Sequence, residues 1–294
     1  MNIRATGGER LFSILNVVLL ILLSAVMAYP FLYVLFYSIS DGVAAGATTI
    51  TFAPVKPTLD NYKAVLGNAG IMNAFFISAA RTVLGTVLHV LVVCLVAYAI
   101  TKKQLLWRKP IIVFFMIPMF VSGGLLPFYV IIVKLGLSNH FLVYILPMLF
   151  SAFNMLLAKV FFDQIPASLE ESARIDGAGD AIVFFRIVLP SSLPLLATLS
   201  IFAGVSQWNA WFDALLFVTK QNLLPIQTLL YKIILESQAT TVEQIMRMTQ
   251  SKTQVTSEAV KMTTLMVSTL PILCIYPFMQ RYFVKGMMIG AVKG

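Results

Sequence analysis

The sequence predicts an all-α membrane protein with six transmembrane helices, because its composition is strongly apolar and its apolar segments are long. Of its 294 residues, 59% are hydrophobic and 11% are charged, and the mean hydropathy is +0.90. Both shares differ from those of soluble domains. A helix needs about 20 apolar residues to cross a bilayer. Six segments reach that length and predict one transmembrane domain over residues 1–294: Leu11–Ile39, Ile71–Ile100, Pro110–Val133, Phe141–Phe162, Phe184–Val218 and Met262–Phe283.

The first segment also has features of a cleaved signal peptide. Arg4 and Arg10 precede it, and Ala28 is a small residue of the kind found at cleavage sites. The apolar core of a signal peptide is about 7–15 residues long. Here the apolar sequence continues to Phe36, so we interpret this segment as a retained first span.

The orientation follows from the short loop Thr101–Lys109, which carries four Lys and Arg residues. Short loops rich in these residues stay in the cytoplasm. This predicts two cytoplasmic termini in a cytoplasmic membrane, with outer segments at residues 41–70 and 219–261. The formal net charge of +9 therefore reflects topology, and no nucleic-acid partner is expected.

A short acid-rich helix is predicted at about residues 166–178, between two apolar spans. Five of the twelve Asp and Glu residues fall between Asp163 and Asp180. Ser168 and Glu171 have the spacing of a capping box, and Gly177 supplies a stop. A helix of about two turns is unstable alone in water. It therefore lies against something, either another protein or, as a merely capped helix, the membrane interface.

Enzymatic signatures are missing from the sequence. It has no G-x-x-x-x-G-K-[ST] loop for a nucleotide, no nucleophile triad or acid pair at membrane depth, and no Cys/His spacing typical of a metal site. We expect no catalytic residue, no metal and no cofactor in this chain. His89 is interpreted as a packed residue of the second span, with a functional role as the alternative.

A family resemblance becomes visible around the acid-rich helix. The residues that carry it are Glu171-Ser172-Ala173, Asp176-Gly177-Ala178, Ile187-Val188-Leu189-Pro190 and Pro194. They resemble the E-A-A…D-G-A…I-x-L-P…P signature of permease subunits in binding-protein-dependent ABC importers, from which Ser172 departs. The resemblance extends to residues 73–98, 206–212 and 276–286. The whole chain is similar to the smaller permease of maltose-type carbohydrate importers, in their oligosaccharide and polysaccharide-fragment branch.

This resemblance implies a type I ABC importer permease fold and a set of partners. The helix at 166–178 would be the coupling helix, seated in a groove of a cytoplasmic ATPase that binds ATP and Mg²⁺. The implied partners are a second homologous permease, two ATPase subunits, an extracytoplasmic solute-binding protein and a carbohydrate substrate. The residues implied in coupling are Glu170, Glu171, Ala173, Asp176, Gly177, Ala178, Leu189 and Pro190. Among them, Glu171 would anchor the helix, and Ala173 and Ala178 would make close contacts.

Polar residues within the spans are candidates for the substrate pathway, because such residues tend to face the bundle interior. Arg81 either reaches the membrane surface from the edge of its span or meets an acidic sugar. Trp208 and Trp211 either stack on sugar rings or form an aromatic belt. Pro118, Gly123-Gly124 and Pro127 predict an interrupted third span, which is a pathway wall or a simple kink. The remaining candidates are Asn154, Gln207, Asn209 and Asp213.

The outer segment at 219–261 is long enough to be functional. Helical spacing predicts a helix at Pro225–Ser237 and a second one near Val242–Met248. The resemblance implies that this segment contacts the solute-binding protein; an interfacial helix without a partner is the alternative. For the whole chain, the alternative function is an ion-coupled secondary transporter, which would more typically show inverted repeats or intramembrane acids.

Overall fold

A computed structural model describes residues 7–48, 53–238 and 256–291, and these ranges form helices and loops without a β-strand. The helices are α1 (Gly7–Ser38), α2 (Gly42–Ala47), α3 (Asp60–Leu66), α4 (Ala69–Thr101), α5 (Arg108–Phe120), α6 (Leu125–Lys134), α7 (Ala152–Phe162), α8 (Ala167–Ile175), α9 (Asp180–Val183), α10 (Leu189–Ser191), α11 (Leu193–Asn209), α12 (Phe212–Phe217), α13 (Ile226–Gln238) and α14 (Ser257–Ala291).

Three helices in the described ranges are long and apolar enough to cross a membrane without a break: α1, α4 and α14 over Ser257–Ile275. Three further spans are bent pairs, and counting each pair as one gives up to six. An interruption was predicted for the third span only, so the bends in the fourth and fifth spans were not expected. The physical cause is proline, which removes a backbone donor and clashes with the preceding turn.

The predicted interruption of the third span is confirmed. Helices α5 and α6 meet at an angle of 115°, and the break lies at residues 121–124. Gly124 has a φ of +82°, a left-handed conformation that glycine adopts readily. No residue of α5 is buried and only Ile132 of α6 is buried.

The predicted fourth and fifth spans are also broken. Residues Phe141–Met148 meet α7 at 50°, and Asp180–Ser191 meet α11 at 84°. Pro147 lies in the last helical turn before the first break, and Pro190 and Pro194 flank the second. A π-helical turn at Phe184–Val188 precedes Pro190. The fifth span then ends at Asn209 instead of continuing to Val218, because the backbone of Ala210 is extended.

The chain divides into two compact units, Met1–Ala69 with Lys232–Thr269, and Gly70–Tyr231 with Leu270–Gly294. In the first unit, Tyr37, Ala45 and Ala259 form a small core. Asn61 closes the end of α1 by donating to the carbonyls of Ser38 at 3.0 Å and Ser40 at 2.7 Å. Most of α1 is exposed on all sides, as expected for a span covered by lipid.

The core of the second unit forms along α4. One face of α4 is buried at intervals of three and four residues, which is the spacing of a single helix face. Its members include Ala74, Ser78, Arg81, Gly85, His89, Val93 and Ala97. The C-terminal half of this face packs in a core with α7 and α11 through Val93, Met155 and Leu199. Three polar residues, Ser78, Arg81 and His89, are buried on this face.

The helix predicted in the outer segment is confirmed as α13, which begins at Ile226. Ile226, Thr228 and Leu230 are buried, so one face of its first turns is covered by protein. The second helix expected near Val242–Met248 lies outside the described residues.

Candidate functional site

The acid-rich segment forms helix α8, which begins two residues earlier than a capping box at Ser168 requires. Pro166 is the N-cap residue and no side chain caps the helix. Ser168 is therefore inside the first turn, and the predicted capping box is wrong. The predicted stop is confirmed, since α8 ends at Ile175, Asp176 follows as the C-cap, and Gly177 has a φ of +83°.

One face of α8 is attached to its own unit. Glu170 forms an ion pair with Lys102 at the end of α4, and the Lys102 ammonium lies 3.8 Å from the centre of the Tyr98 ring. Ala173 is 9% exposed and belongs to the core, and Ala178 packs against that core. Ala173 and Ala178 thus make close contacts within this chain, and their contact with a partner stays a prediction.

The opposite face of α8 is open. Glu171 is exposed, and Ile175, one helical turn further on, is 86% exposed. Leu169 is 45% exposed. The exposed face of α8 therefore combines a carboxylate with large apolar side chains, and the opposite face holds the helix in place. Such a face is suited to docking in a groove of another protein. Nothing in the described part of the chain covers this face.

The loop after α8 is held by an ion pair across the Gly177 turn. Arg174 Nη2 lies 2.5 Å from Asp180 Oδ1, while Asp176 is exposed. Leu189 packs against the core, and Pro190 is exposed in the short helix before the 84° bend. The predicted coupling residues therefore lie along one continuous path from α8 to α11.

Arg81 is the most completely buried charge in the described structure, with 0% exposure of its side chain. Its guanidinium donates to both carboxylate oxygens of Asp213, at 3.2 Å from Nη1 and 2.5 Å from Nη2. It also donates to Gln207 Oε1 and to the carbonyl of Ala210, both at 3.2 Å. The ring of Tyr144 lies 4.3 Å from Cζ.

These contacts overturn the expectation that Arg81 extends to the membrane surface. Four of its five N–H donors are used, and Gln207 in turn donates to the carbonyl of Tyr144 at 3.1 Å. An acidic sugar would have to displace Asp213 to reach Arg81. The network ties α4 to the end of α11 and to α12.

Gly85→Ala is expected to lower the melting temperature of the purified subunit. A Cβ at Gly85 would lie 2.4 Å from Nε2 and 2.7 Å from Cδ of Gln207, which is buried and bonded from two sides. Such overpacking costs about 1–3 kcal/mol. Gly204→Ala is the matched control, because its Cβ would meet Thr86 Oγ1 only at 3.4 Å. Equal melting temperatures of the two variants would contradict this close contact between the helices.

A polar cleft of about 250 Å³ lies between α4, α7 and α11. It brings together two predicted pathway residues, Asn154 and Gln207, and adds His89, Ser151 and Ser206, which sequence reasoning did not assign to the pathway. His89 Nδ1 lies 2.7 Å from the carbonyl oxygen of Met148, and Nε2 lies 2.8 Å from Asn154 Nδ2. The remaining lining residues are Pro147, Met148, Phe150, Phe202 and Ala203.

The other pathway candidates lie outside this cleft. Trp208 is 6% exposed and packs edge-to-face on Phe75 at 5.7 Å between ring centres. Trp211 stacks on Tyr231 at 4.3 Å, and Asn209 is exposed at the end of α11. Neither tryptophan lines the polar cleft.

A second, largely apolar cavity of about 570 Å³ lies between α4, α11 and α14. Thr82 and Thr86 of α4 line it together with Ser200 and Gly204 of α11. Within the described residues, the two threonine hydroxyls have no hydrogen-bond partner. Ala74, Ser78, Thr82 and Thr86 follow one another at intervals of four residues along α4, and each interval rotates the side-chain position by about 40° around the helix axis. This rotation explains why Ala74 and Ser78 pack while the two threonines line the cavity.

The fold and the α8 site together define a membrane permease subunit, and sequence comparison assigns the family. Residues 102–289 match the family described as "Binding-protein-dependent transport system inner membrane component". The chain belongs to this family, and it is a multi-pass membrane protein. Among the described residues, no group of His, Cys, Asp and Glu side chains is arranged to hold a metal ion.

The individual relatives confirm the resemblance to carbohydrate-uptake permeases. The chain is 34% identical to the polygalacturonan/rhamnogalacturonan transport system permease protein YtcP of Bacillus subtilis (strain 168), over 97% of this chain and 99% of YtcP. It is also 34% identical to protein LplC of the same organism, over 98% of this chain and 97% of LplC.

A solved structure confirms the predicted permease fold. The chain superposes with a TM-score of 0.89 on a chain of the crystal structure of a bacterial ABC transporter involved in the import of the acidic polysaccharide alginate. The two are 27% identical, and the match covers 96% of this chain and 100% of that one.

Proposed function

We propose that this chain is the transmembrane permease subunit of an ATP-driven importer that moves a carbohydrate, most simply an oligosaccharide, across the bacterial cytoplasmic membrane. The observation that carries the proposal is the two-faced helix α8. It is fixed to the end of α4 through Glu170 and Ala173, and it presents Glu171 and Ile175 to a partner. Family membership and the names of the relatives support the carbohydrate class.

The partners follow from this role. A second, homologous permease completes the pathway, two ATPase subunits bind ATP and Mg²⁺ on the cytoplasmic side, and an extracytoplasmic binding protein delivers the carbohydrate. The hydrolysis of ATP belongs to the ATPase subunits, and this chain is not an enzyme. Both termini and α8 lie on the cytoplasmic side, as the positive charge of the 101–109 loop indicates.

The proposed mechanism is mechanical. Closure of the ATPase dimer displaces α8, and this displacement passes to α4 through the Lys102–Glu170 ion pair. It also passes through the Gly177 turn, which the Arg174–Asp180 pair braces, to the bent segment before α11. Helices α4 and α11 carry the polar cleft and the Arg81 network, so movement at α8 reaches the residues that face the pathway.

The outer helix α13 is proposed to link the binding protein to the same helices. Its first backbone N–H, at Ile226, donates to Ser78 Oγ on α4 at 2.8 Å. Thr228 Oγ1 donates to the carbonyl of Trp211 at 2.9 Å, and Tyr231 stacks on the Trp211 ring. A protein that binds α13, or the residues that follow it, would therefore act on α4 and α12 through these contacts.

Replacing residues 239–255 by a Gly/Ser linker of equal length is expected to abolish stimulation of ATP hydrolysis by the binding protein. Basal hydrolysis should persist, because α8 and the ATPase are unchanged. The measurement is the ATPase rate of the reconstituted importer with and without binding protein. The control replaces residues 49–52 in the other outer segment in the same way. Full stimulation of the 239–255 variant would refute the docking role of this segment.

The proposed function is tested by affinity purification of the tagged subunit from native membranes. Mass spectrometry identifies the retained proteins, and the ATPase rate is measured with binding protein and a panel of oligosaccharides. Recovery of a second permease and an ATPase, with hydrolysis raised by binding protein and one of the sugars, is the expected result. Recovery of this chain alone, or an ATPase that responds to none of the sugars, would overturn the proposal.

A further inference from the structure

The polar cleft between α4, α7 and α11 has the chemistry of a ligand site and not of a packing defect. None of its ten lining residues is Lys, Arg, Asp or Glu, and five of them carry polar side chains. Polar side chains inside a membrane protein are retained when they face a partner or a pathway.

The His89–Asn154 contact fixes the direction of the amide. The Met148 carbonyl can only accept, so His89 Nδ1 carries the proton and donates to it at 2.7 Å. In the neutral ring, Nε2 must then accept, and Asn154 Nδ2 donates to it at 2.8 Å. This assignment leaves Asn154 with the carbonyl Oδ1 and a second N–H.

Asn154 is 6% exposed, and its Oδ1 accepts no hydrogen bond from any residue that the structure describes. Asn154 lines the cleft, so this oxygen is available to accept from a molecule bound there. Ser151 Oγ accepts from the Asn154 backbone N–H at 3.4 Å, so its own O–H remains available. Ser206 adds a hydroxyl from the opposite wall on α11.

The cleft thus offers an amide acceptor, an amide donor and hydroxyls that both donate and accept, with the phenyl rings of Phe150 and Phe202 beside them. This combination matches a sugar ring, whose hydroxyls donate and accept and whose C–H faces are apolar. The lining provides no cation for a carboxylate, and the nearby Arg81 is neutralised by Asp213. The volume of the cleft is about 250 Å³, which is below the range of about 300–1,000 Å³ usual for drug-sized ligands. The cleft therefore suits a ligand group smaller than these.

We propose that this cleft is a binding subsite for the hydroxyl groups of one uncharged sugar unit of the transported carbohydrate. Asn154 is the contact residue, Ser151 and Ser206 assist it, and His89 is a positioning residue that holds the Asn154 amide. This inference rests on the proposed function. It adds that the present subunit contacts the substrate itself and selects for uncharged sugar units.

The test uses the complete importer in proteoliposomes with ATP inside and its binding protein outside. The probes are maltotriose, galactotriose, arabinotriose and trigalacturonate. Asn154→Leu is expected to reduce the uptake rate of the neutral trisaccharide that the wild type transports by about tenfold, as for the loss of buried hydrogen bonds. Ser206→Ala, a mild change at an exposed position, is expected to reduce it by about threefold.

The role of His89 is tested by combining its substitution with that of Asn154. His89→Phe should reduce uptake about as much as Asn154→Leu. The double variant should transport no more slowly than either single variant, because each change alone already removes the Asn154 amide held by His89. Asn16→Leu on the exposed helix α1 is the matched control. The melting temperature of each purified complex separates loss of contact from loss of folding.

The outcomes are distinguishable. A wild type that transports none of the four probes would overturn the proposed function. A wild type that transports trigalacturonate and no neutral trisaccharide would overturn the subsite alone. Uptake by Asn154→Leu and Ser206→Ala equal to that of Asn16→Leu would also overturn the subsite and leave the proposed function standing.

Discussion

Asp213→Leu is expected to destabilise the folded subunit by roughly 3–5 kcal/mol, the penalty for breaking a buried ion pair and leaving one charge unpaired. The remaining charge would be Arg81, whose side chain is 0% exposed, whereas the Asp213 side chain is 20% exposed. The reciprocal change, Arg81→Met, should therefore cost less, because a partly exposed carboxylate can recover some hydration. The measurement is the thermal unfolding of each detergent-purified variant.

The double variant Arg81→Met/Asp213→Leu completes the cycle. It removes both charges, so we expect it to be more stable than Asp213→Leu alone. The control is Asp60→Asn, which breaks the exposed ion pair with Lys63; an exposed pair contributes little to stability because water screens it. An Asp213→Leu variant that melts like Asp60→Asn would contradict the buried network.

Gly177→Pro is expected to abolish carbohydrate uptake while leaving ATP hydrolysis in place. Gly177 has a φ of +83°, and proline is fixed near −65°, so the turn that connects α8 to the next segment would have to change direction. Movement of α8 would then no longer reach α11. The measurement is the ratio of sugar transported to ATP hydrolysed. Unchanged transport by a stably assembled Gly177→Pro variant would refute the coupling role of α8.

The two glutamates at the start of α8 should behave differently in the same assay. Glu171 is exposed, so Glu171→Gln is expected to lower the transport ratio by weakening the ATPase contact, without lowering the melting temperature of the subunit. Glu170 is paired with Lys102, so Glu170→Gln is expected to loosen the attachment of α8 and lower that melting temperature. Identical effects of the two changes would contradict the division of α8 into an attached and a docking face.

Much of the fold was predictable from the sequence, because it depends on local properties. Apolar length marks the spans, the Gly177 turn ends α8, and helical spacing identifies α13. The bends were only partly predictable. Pro147 and Pro190 are visible in the sequence, but the angles of 50° and 84° depend on how the neighbouring helices pack. Ser168 has the spacing of a cap, yet α8 begins at Ala167, directly after Pro166.

The candidate site was less predictable, because its contacts join distant residues. Arg81 meets Gln207 and Asp213 across separations of 126 and 132 residues, and no local pattern indicates such a pairing. His89 was interpreted as a packed residue. A signal was nevertheless present, since His89 and Asn154 are both polar residues within apolar spans, and such residues tend to find each other.

The most direct test of ATP-driven import is uptake of the stimulating oligosaccharide into proteoliposomes that contain the purified importer. ATP is enclosed in one set and a non-hydrolysable analogue in the other, each with and without an imposed proton or sodium gradient. We predict uptake only with ATP inside and with binding protein present, unaffected by ionophores. Uptake driven by an ion gradient without hydrolysis would contradict the account and make this chain an ion-coupled secondary transporter.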